Sequence, residues 1–187
     1  MNVYDFDGTI YDGDSTVDFF WYVLKRRPSL ARYFPKQFWG FCFYALKRIG
    51  KTELKEFFFC FLAAIDGTAL AEEFWEHAQE RVMAWYREQQ QADDVIISAS
   101  PAFLLEPICK KLGIGCLIAS DVDVHTGKFA GENCRGEEKV RRFAAVYPTE
   151  GIDRFYSDSD ADRPMAQRAK QAFLVKNGRI VPWENDV

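Results

Sequence analysis

"VYDFDGTI", residues 3–10, brings a short apolar run to an end in two aspartates. Alternate side chains of an extended strand point the same way. Asp5 and Asp7 are therefore two carboxylates at one side of a strand end, with Gly8 and Thr9 just behind them. Like charges so placed repel, and the repulsion needs a physical reason. The run itself reads as a buried strand over residues 2–6.

Beyond this strand the texture changes at once. From about residue 14 to 92 no strand is convincing. Ser15 can cap a first helix, and Pro28 and Pro35 break the pattern after it. Residues 36–48 read as a second helix. Thr52 caps a third, stopped by Asp66 and Gly67. Thr68 opens a long fourth, with Leu70, Phe74, Trp75, Ala78, Val82 and Trp85 near helical spacing. Strands then return: "VIISAS" (95–100), "CLIAS" (116–120), "DRFYSDS" (153–159), and a pair within 172–181 turning at Asn177-Gly178. Residues 123–129 read as a small hairpin. Helices separate these strands: one entered through Pro101 and ending near Gly113, then 136–147 and 161–170. Alternating strand and helix imply an α/β, Rossmann-like parallel sheet with helices on both faces. The expected division is a core of residues 1–13 and 93–187 with an inserted all-helical cap, 14–92.

Composition narrows the function. The chain has 187 residues, enough for one core with an insertion. A net charge of -4 argues against a nucleic-acid-binding body. Five cysteines without a CxxC pair, and only two histidines, argue against zinc. The odd, widely spaced cysteines suggest free thiols of a reducing cytoplasm. No signal peptide is expected, and no apolar run reaches the ~20 residues of a membrane-spanning helix.

The strands share one feature: their C-terminal ends carry acids or hydroxyls, namely Asp5 and Asp7, Ser98 and Ser100, and Asp158 with its neighbours. In open parallel sheets the site lies outside those ends. Several carboxylates there call for a cation, and oxygen ligands favour magnesium over zinc. Ser98, the N–H groups opening the 101–113 helix and Lys139 could cradle a phosphate. The bland alternatives are a solvated Lys139, a surface Asp160, a helix-capping Ser100, and surface positions for His77 and His125.

"DFDGTI" (5–10), the hydroxyl closing "VIIS" (95–98), the Lys of "GEEK" (136–139) and "SDSDAD" (157–162) occur in this order. They resemble the four motifs of the haloacid dehalogenase superfamily of phosphatases, in the phosphoserine-phosphatase-like branch whose cap comes after the first motif. The resemblance implies a magnesium-dependent phosphomonoester hydrolase working through an aspartyl-phosphate. It assigns Asp5 as nucleophile and Asp7 as general acid and base. Ser98 and Lys139 would hold the phosphoryl group. Asp5, the Asp7 carbonyl and Asp158 would bind Mg2+, supported by Thr9 and Asp162.

The cap bears on the substrate. Residues 21–56 hold nine basic residues and two acids, a local charge of +7 that leaves -11 elsewhere. Nine aromatics lie between Trp21 and Tyr44. The preferred reading buries those aromatics as cap core and lets the cations attract a small phosphorylated metabolite in the cytoplasm. The alternative is a lipid-headgroup phosphatase in peripheral contact with an anionic membrane at its inner face. "FFWYVLKRRPSLARYFPKQFWGF" (19–41) loosely resembles the basic, apolar cap of bacterial phosphatidylglycerophosphatase C, and "FYSDSDADRPM" (155–165) resembles that group's fourth motif. Phosphoserine fits less well, because Asp14 stands where a Glu is typical and residues 56–65 offer no Arg. A phospho-accepting receiver or a binding protein without turnover is the reading of another class.

Overall fold

The computed structural model describes residues 1–183; residues 184–187 of the expected core segment lie outside the described residues. Strand β1 (Asn2–Tyr4) is short and buried along its length, as suits the centre of a sheet. Asp5 already leaves the strand, although its N–H still donates to the Tyr156 carbonyl at 2.8 Å.

The inserted segment is helical. α1 (Ser15–Arg26) is capped by Asp14, whose side chain accepts from the Val17 N–H, so the capping residue is Asp14 rather than the expected Ser15. A 3-10 turn over 28–33 leads into α2 (Phe34–Ala45), with Pro35 in its first turn, where a missing N–H costs nothing. α3 (Lys51–Phe59) starts one residue before the expected Thr52 cap, because the Glu53 side chain accepts from the Gly50 N–H at 2.7 Å. α4 (Gly67–Ala78) is capped by Asp66 and is shorter than its periodicity predicts. Val82 pairs instead with Tyr11, and the Met83 N–H donates to the Ile10 carbonyl at 2.8 Å. Pairing with the core outcompetes continuation of the helix, and α5 (Ala84–Gln89) starts afresh.

The second half builds the sheet: β2 (Val95–Pro101), α6 (Ala102–Leu112), β3 (Cys116–Ser120), α7 (Glu137–Val146), β4 (Ile152–Ser157), α8 (Arg163–Ala166), β5 (Ala169–Lys176) and β6 (Arg179–Pro182). Residues 123–129 form a turn closed by a single bridge between Val122 and Phe129. The helix expected over 161–170 shrinks to α8, because Ala169 is already paired with Ile152 in the sheet.

Strand order is β3-β2-β1-β4-β5-β6, parallel except for β6. The α/β, Rossmann-like reading holds. The chain runs outward from β1 through β2 to β3, then returns to β4 on the other side of β1. This reversal makes a crevice at the carboxyl end of β1. Tyr4, Tyr156 and Phe173 stand in register on β1, β4 and β5 and stack with centroids 4.8 and 4.9 Å apart. Trp85 of α5 lies over Tyr156, and Trp75 of α4 donates to the Leu104 carbonyl of α6 at 2.6 Å. α4 and α5 thus share the core of the sheet, whereas α1–α3 stand over its carboxyl end.

Candidate active site

Asp5 comes directly after the central strand and is 9% exposed. Its Oδ1 accepts from the Phe6 N–H at 2.8 Å and pairs with Lys139 Nζ at 2.9 Å. Lys139 also pairs with Asp162 at 2.6 Å, and Ser157 donates to the same Asp162 oxygen at 2.8 Å. Lys139 is 1% exposed, so the solvated-face alternative fails for it. The first turn of α7 plugs this lysine between two acids. Burial opposes its charge, but Asp5 and Asp162 outweigh that and hold its pKa above the usual lysine range. Burial pushes the Asp5 carboxyl up to about 7, with Lys139 opposing and Asp162 assisting.

Asp7 is held at both carboxylate oxygens. The Ser15 N–H donates to Oδ1 at 2.7 Å, and the Ser100 hydroxyl donates to Oδ2. Ser100 also meets the Thr16 hydroxyl at 3.0 Å. It therefore does not cap α6, whose N-terminal cap is Pro101 with no side-chain bond. Burial, with Asp14 adding to it, raises the Asp7 carboxyl to about 6 against the hydrogen bonds that lower it. Ser98 is buried, and its hydroxyl accepts from the Ser100 N–H at 3.1 Å. This leaves the Ser98 O–H free to donate elsewhere.

Gly8 has φ +70°, and a Cβ there would come within 2.2 Å of Asp158 Oδ2. Only glycine lets the loop after β1 lie against the carboxylate that ends β4. The Thr9 hydroxyl is buried without a hydrogen-bond partner among the described residues. Asp160, His77 and His125 are exposed, as expected.

Asp5, Asp7, Ser98, Lys139, Asp158 and Asp162 line one cavity of about 950 Å³. Lys55 was not singled out by the sequence. It reaches from α3 into this cavity, donating to the Ala99 carbonyl at 2.7 Å and to Asn133 Oδ1 at 2.8 Å. Burial lowers its pKa to about 8, opposed by Asp14 and Asp7. Nothing in the sequence separates Lys55 from the other basic cap residues. Ser100 had a signal, since it shares a strand face with Ser98. Val17, Phe34, Phe38 and Phe41 form part of the outer wall.

A divalent cation fits the donor chemistry. Among the described residues no three acidic, His or Cys side chains close into a metal cage. Magnesium asks for less: one or two carboxylates, with water and substrate oxygens completing the shell. The Asp5 and Asp158 carboxylates line the cavity, two oxygen ligands of the kind such an ion takes from a protein.

The family profile of the haloacid dehalogenase-like hydrolases matches residues 3–167. A Mycobacterium tuberculosis (strain H37Rv) protein named as a probable phosphatase is 33% identical over 102 residues, covering 51% of this chain and 36% of its own length. The chain thus matches about a third of that relative. A protein of unknown function from Bordetella pertussis Tohama I superposes with a TM-score of 0.73 at 23% identity, over 92% of this chain and 87% of its own. A phosphoserine phosphohydrolase-like protein from Francisella tularensis gives 0.57 at 14% identity, over 92% and 86%. Both likenesses are of the fold.

Proposed function

The chain belongs to the haloacid dehalogenase-like hydrolases, and on that premise we propose that it is a phosphatase, hydrolysing a phosphomonoester through a covalent phosphoryl group on Asp5. The observation that carries this reading is the buried Asp5–Lys139–Asp162 set at the floor of a cavity that also presents Asp7 and Ser98.

Asp5 Oδ2, the oxygen engaged by neither Lys139 nor the Phe6 N–H, attacks phosphorus. The bond from phosphorus to the leaving oxygen breaks, and Asp7, entering as the carboxylic acid, gives that oxygen its proton. In the second half, Asp7 as carboxylate takes a proton from water. The hydroxide oxygen joins phosphorus, and the bond to Asp5 breaks. Phosphate leaves, with Asp5 restored as carboxylate and Asp7 as acid. Ser98 and Lys139 hold the phosphoryl oxygens throughout. Asp162 and Ser157 keep Lys139 aimed at Asp5. Asp5, the Asp7 carbonyl and Asp158 would hold Mg2+, which when bound offsets the charge gathering on the phosphoryl group.

The test is phosphate release from p-nitrophenyl phosphate with and without magnesium, beside Asp5→Asn. Turnover by the wild type only with magnesium, and none by the variant, is expected. Equal turnover without the metal, or an active variant, overturns the mechanism. Stable phosphorylation without release would favour a receiver or binding protein instead.

For the substrate, one observation favours the lipid-headgroup alternative over a soluble metabolite. The outer wall of the cavity is aromatic and open to solvent, with Phe38 63% and Phe41 62% exposed. The cap core expected to absorb those rings does not. Comparing hydrolysis of phosphatidylglycerophosphate with that of soluble phosphoesters decides between the two.

A further inference from the structure

We propose that the outer face of α1 and α2 docks on an anionic phospholipid bilayer, with the mouth of the cavity opening beside it. The docking stands on the surface itself, and its bearing on substrate supply rests on the phosphatase reading.

The first ground is exposure. Trp21, Phe34, Phe38, Trp39, Phe41, Tyr44 and Leu46 are all exposed. Scattered apolar residues are ordinary on a surface, but here Phe38 and Trp39 are in ring contact and Phe34, Phe38 and Phe41 share one wall, which is not scatter. Packing explains the arrangement. Gly40 sits so close to Phe57 of α3 that a Cβ would meet its side chain at 2.3 Å, and Phe43 touches Phe57 as well. α2 satisfies the cap through this side and presents its other rings outward. Phe34, Phe38 and Phe41, spaced for one helix face, belong both to that surface and to the cavity wall.

Charge names the occupant. Between Asp18 and Glu53 the chain has no acid and eight basic residues. Lys25, Arg27, Lys36, Lys47 and Arg48 are exposed, and none has an ion pair among the described residues. A second copy docked face to face would bring two such cationic faces together. An anionic bilayer complements the charge, and its headgroup layer suits aromatic rings beside Lys and Arg. The -11 carried by the rest of the chain is repelled by the same bilayer, which orients the molecule. α2 has 12 residues and no helix among those described is long and apolar enough to cross a membrane, so the contact lies along the surface.

Co-sedimentation tests this with vesicles of equal parts phosphatidylglycerol and phosphatidylcholine, against phosphatidylcholine alone. The wild type should bind the anionic vesicles at least about tenfold better, and lose most of that binding in high salt. Trp39→Ser with Leu46→Ser, and separately Lys36→Glu with Arg48→Glu, should each weaken binding about tenfold. Neither pair lines the cavity, so both should keep wild-type circular dichroism and turnover of p-nitrophenyl phosphate. Equal binding to neutral vesicles, binding unaffected by both pairs, or a dimer that both pairs dissolve without any vesicle binding would overturn the docking. Vesicle binding by a protein that releases no phosphate would keep the docking and remove the phosphatase reading.

Discussion

The floor of the cavity and the face of its cap solve opposite problems with charge. On the floor, Asp5, Lys139, Asp162 and Ser157 are buried and satisfy one another within 2.9 Å. On α1, on α2 and just beyond it, Lys25, Lys36, Lys47 and Arg48 stand in solvent without an ion pair among the described residues, beside exposed rings. A buried charge is tolerable only when paired, so the floor is fixed and its groups are interdependent. An exposed charge costs little, so the cap is free to be shaped by what it meets. The contrast separates the chemistry from the choice of substrate, and single substitutions can test it.

The largest effect is expected from Asp5→Asn. Loss of the proposed nucleophile should lower kcat by about a thousandfold or more, measured as phosphate release, with the fold kept in circular dichroism. Lys139→Met comes next. It leaves Asp5 and Asp162 buried without their shared cation, so about 3 kcal/mol of stability should be lost in urea denaturation, together with activity. If the variant is as stable as wild type, the groups of the floor do not depend on one another.

Ser100→Ala isolates the support of Asp7. The Ser100 hydrogen bond lowers the Asp7 pKa. Without it the carboxyl should titrate above about 6, moving the corresponding limb of the pH–rate profile to higher pH. The rate itself should fall about tenfold as the carboxylate loses one of its two anchors. An unshifted profile would detach Asp7 from that limb.

The smallest effect is at Glu138, a paired charge remote from substrate. Its carboxyl is held down at about 2, first by the Arg141 hydrogen bond and then, against burial, by Arg142. A carboxyl lowered on folding stabilises fully above its unfolded value of about 4.3, and the gain is lost as pH falls toward 2. Arg141 is largely exposed, which screens the pair. Glu138→Gln should therefore cost about 1 kcal/mol at neutral pH, a difference that disappears in acid melts.

The fold was legible because its signals are local. Apolar runs ending in acids, Asn177-Gly178 between two strands, and the inserted helical block are each read from neighbouring residues. Where periodicity misled, a partner distant in sequence had intervened. Val82 is helical by spacing, yet Tyr11 claims it, and Ala169 is drawn into β5 by Ile152.

Residue order was enough to specify the α/β core, the run of helices between its first two strands, and the acids and hydroxyls at the strand ends, since these rest on alternation and composition over a few residues. Three further matters were settled only by packing across the folded chain. It buried Lys139 of α7 against two acids from the turns that follow β1 and β4. It made Ser100 an anchor of Asp7 and brought Lys55 down from the cap. It also left Trp21, Phe34, Phe38, Trp39, Phe41 and Tyr44 facing water, while Tyr22, Tyr33 and Phe43 are half-buried. Each depends on which surfaces meet across tens of residues, and composition counts charges and rings without saying which of them water still touches.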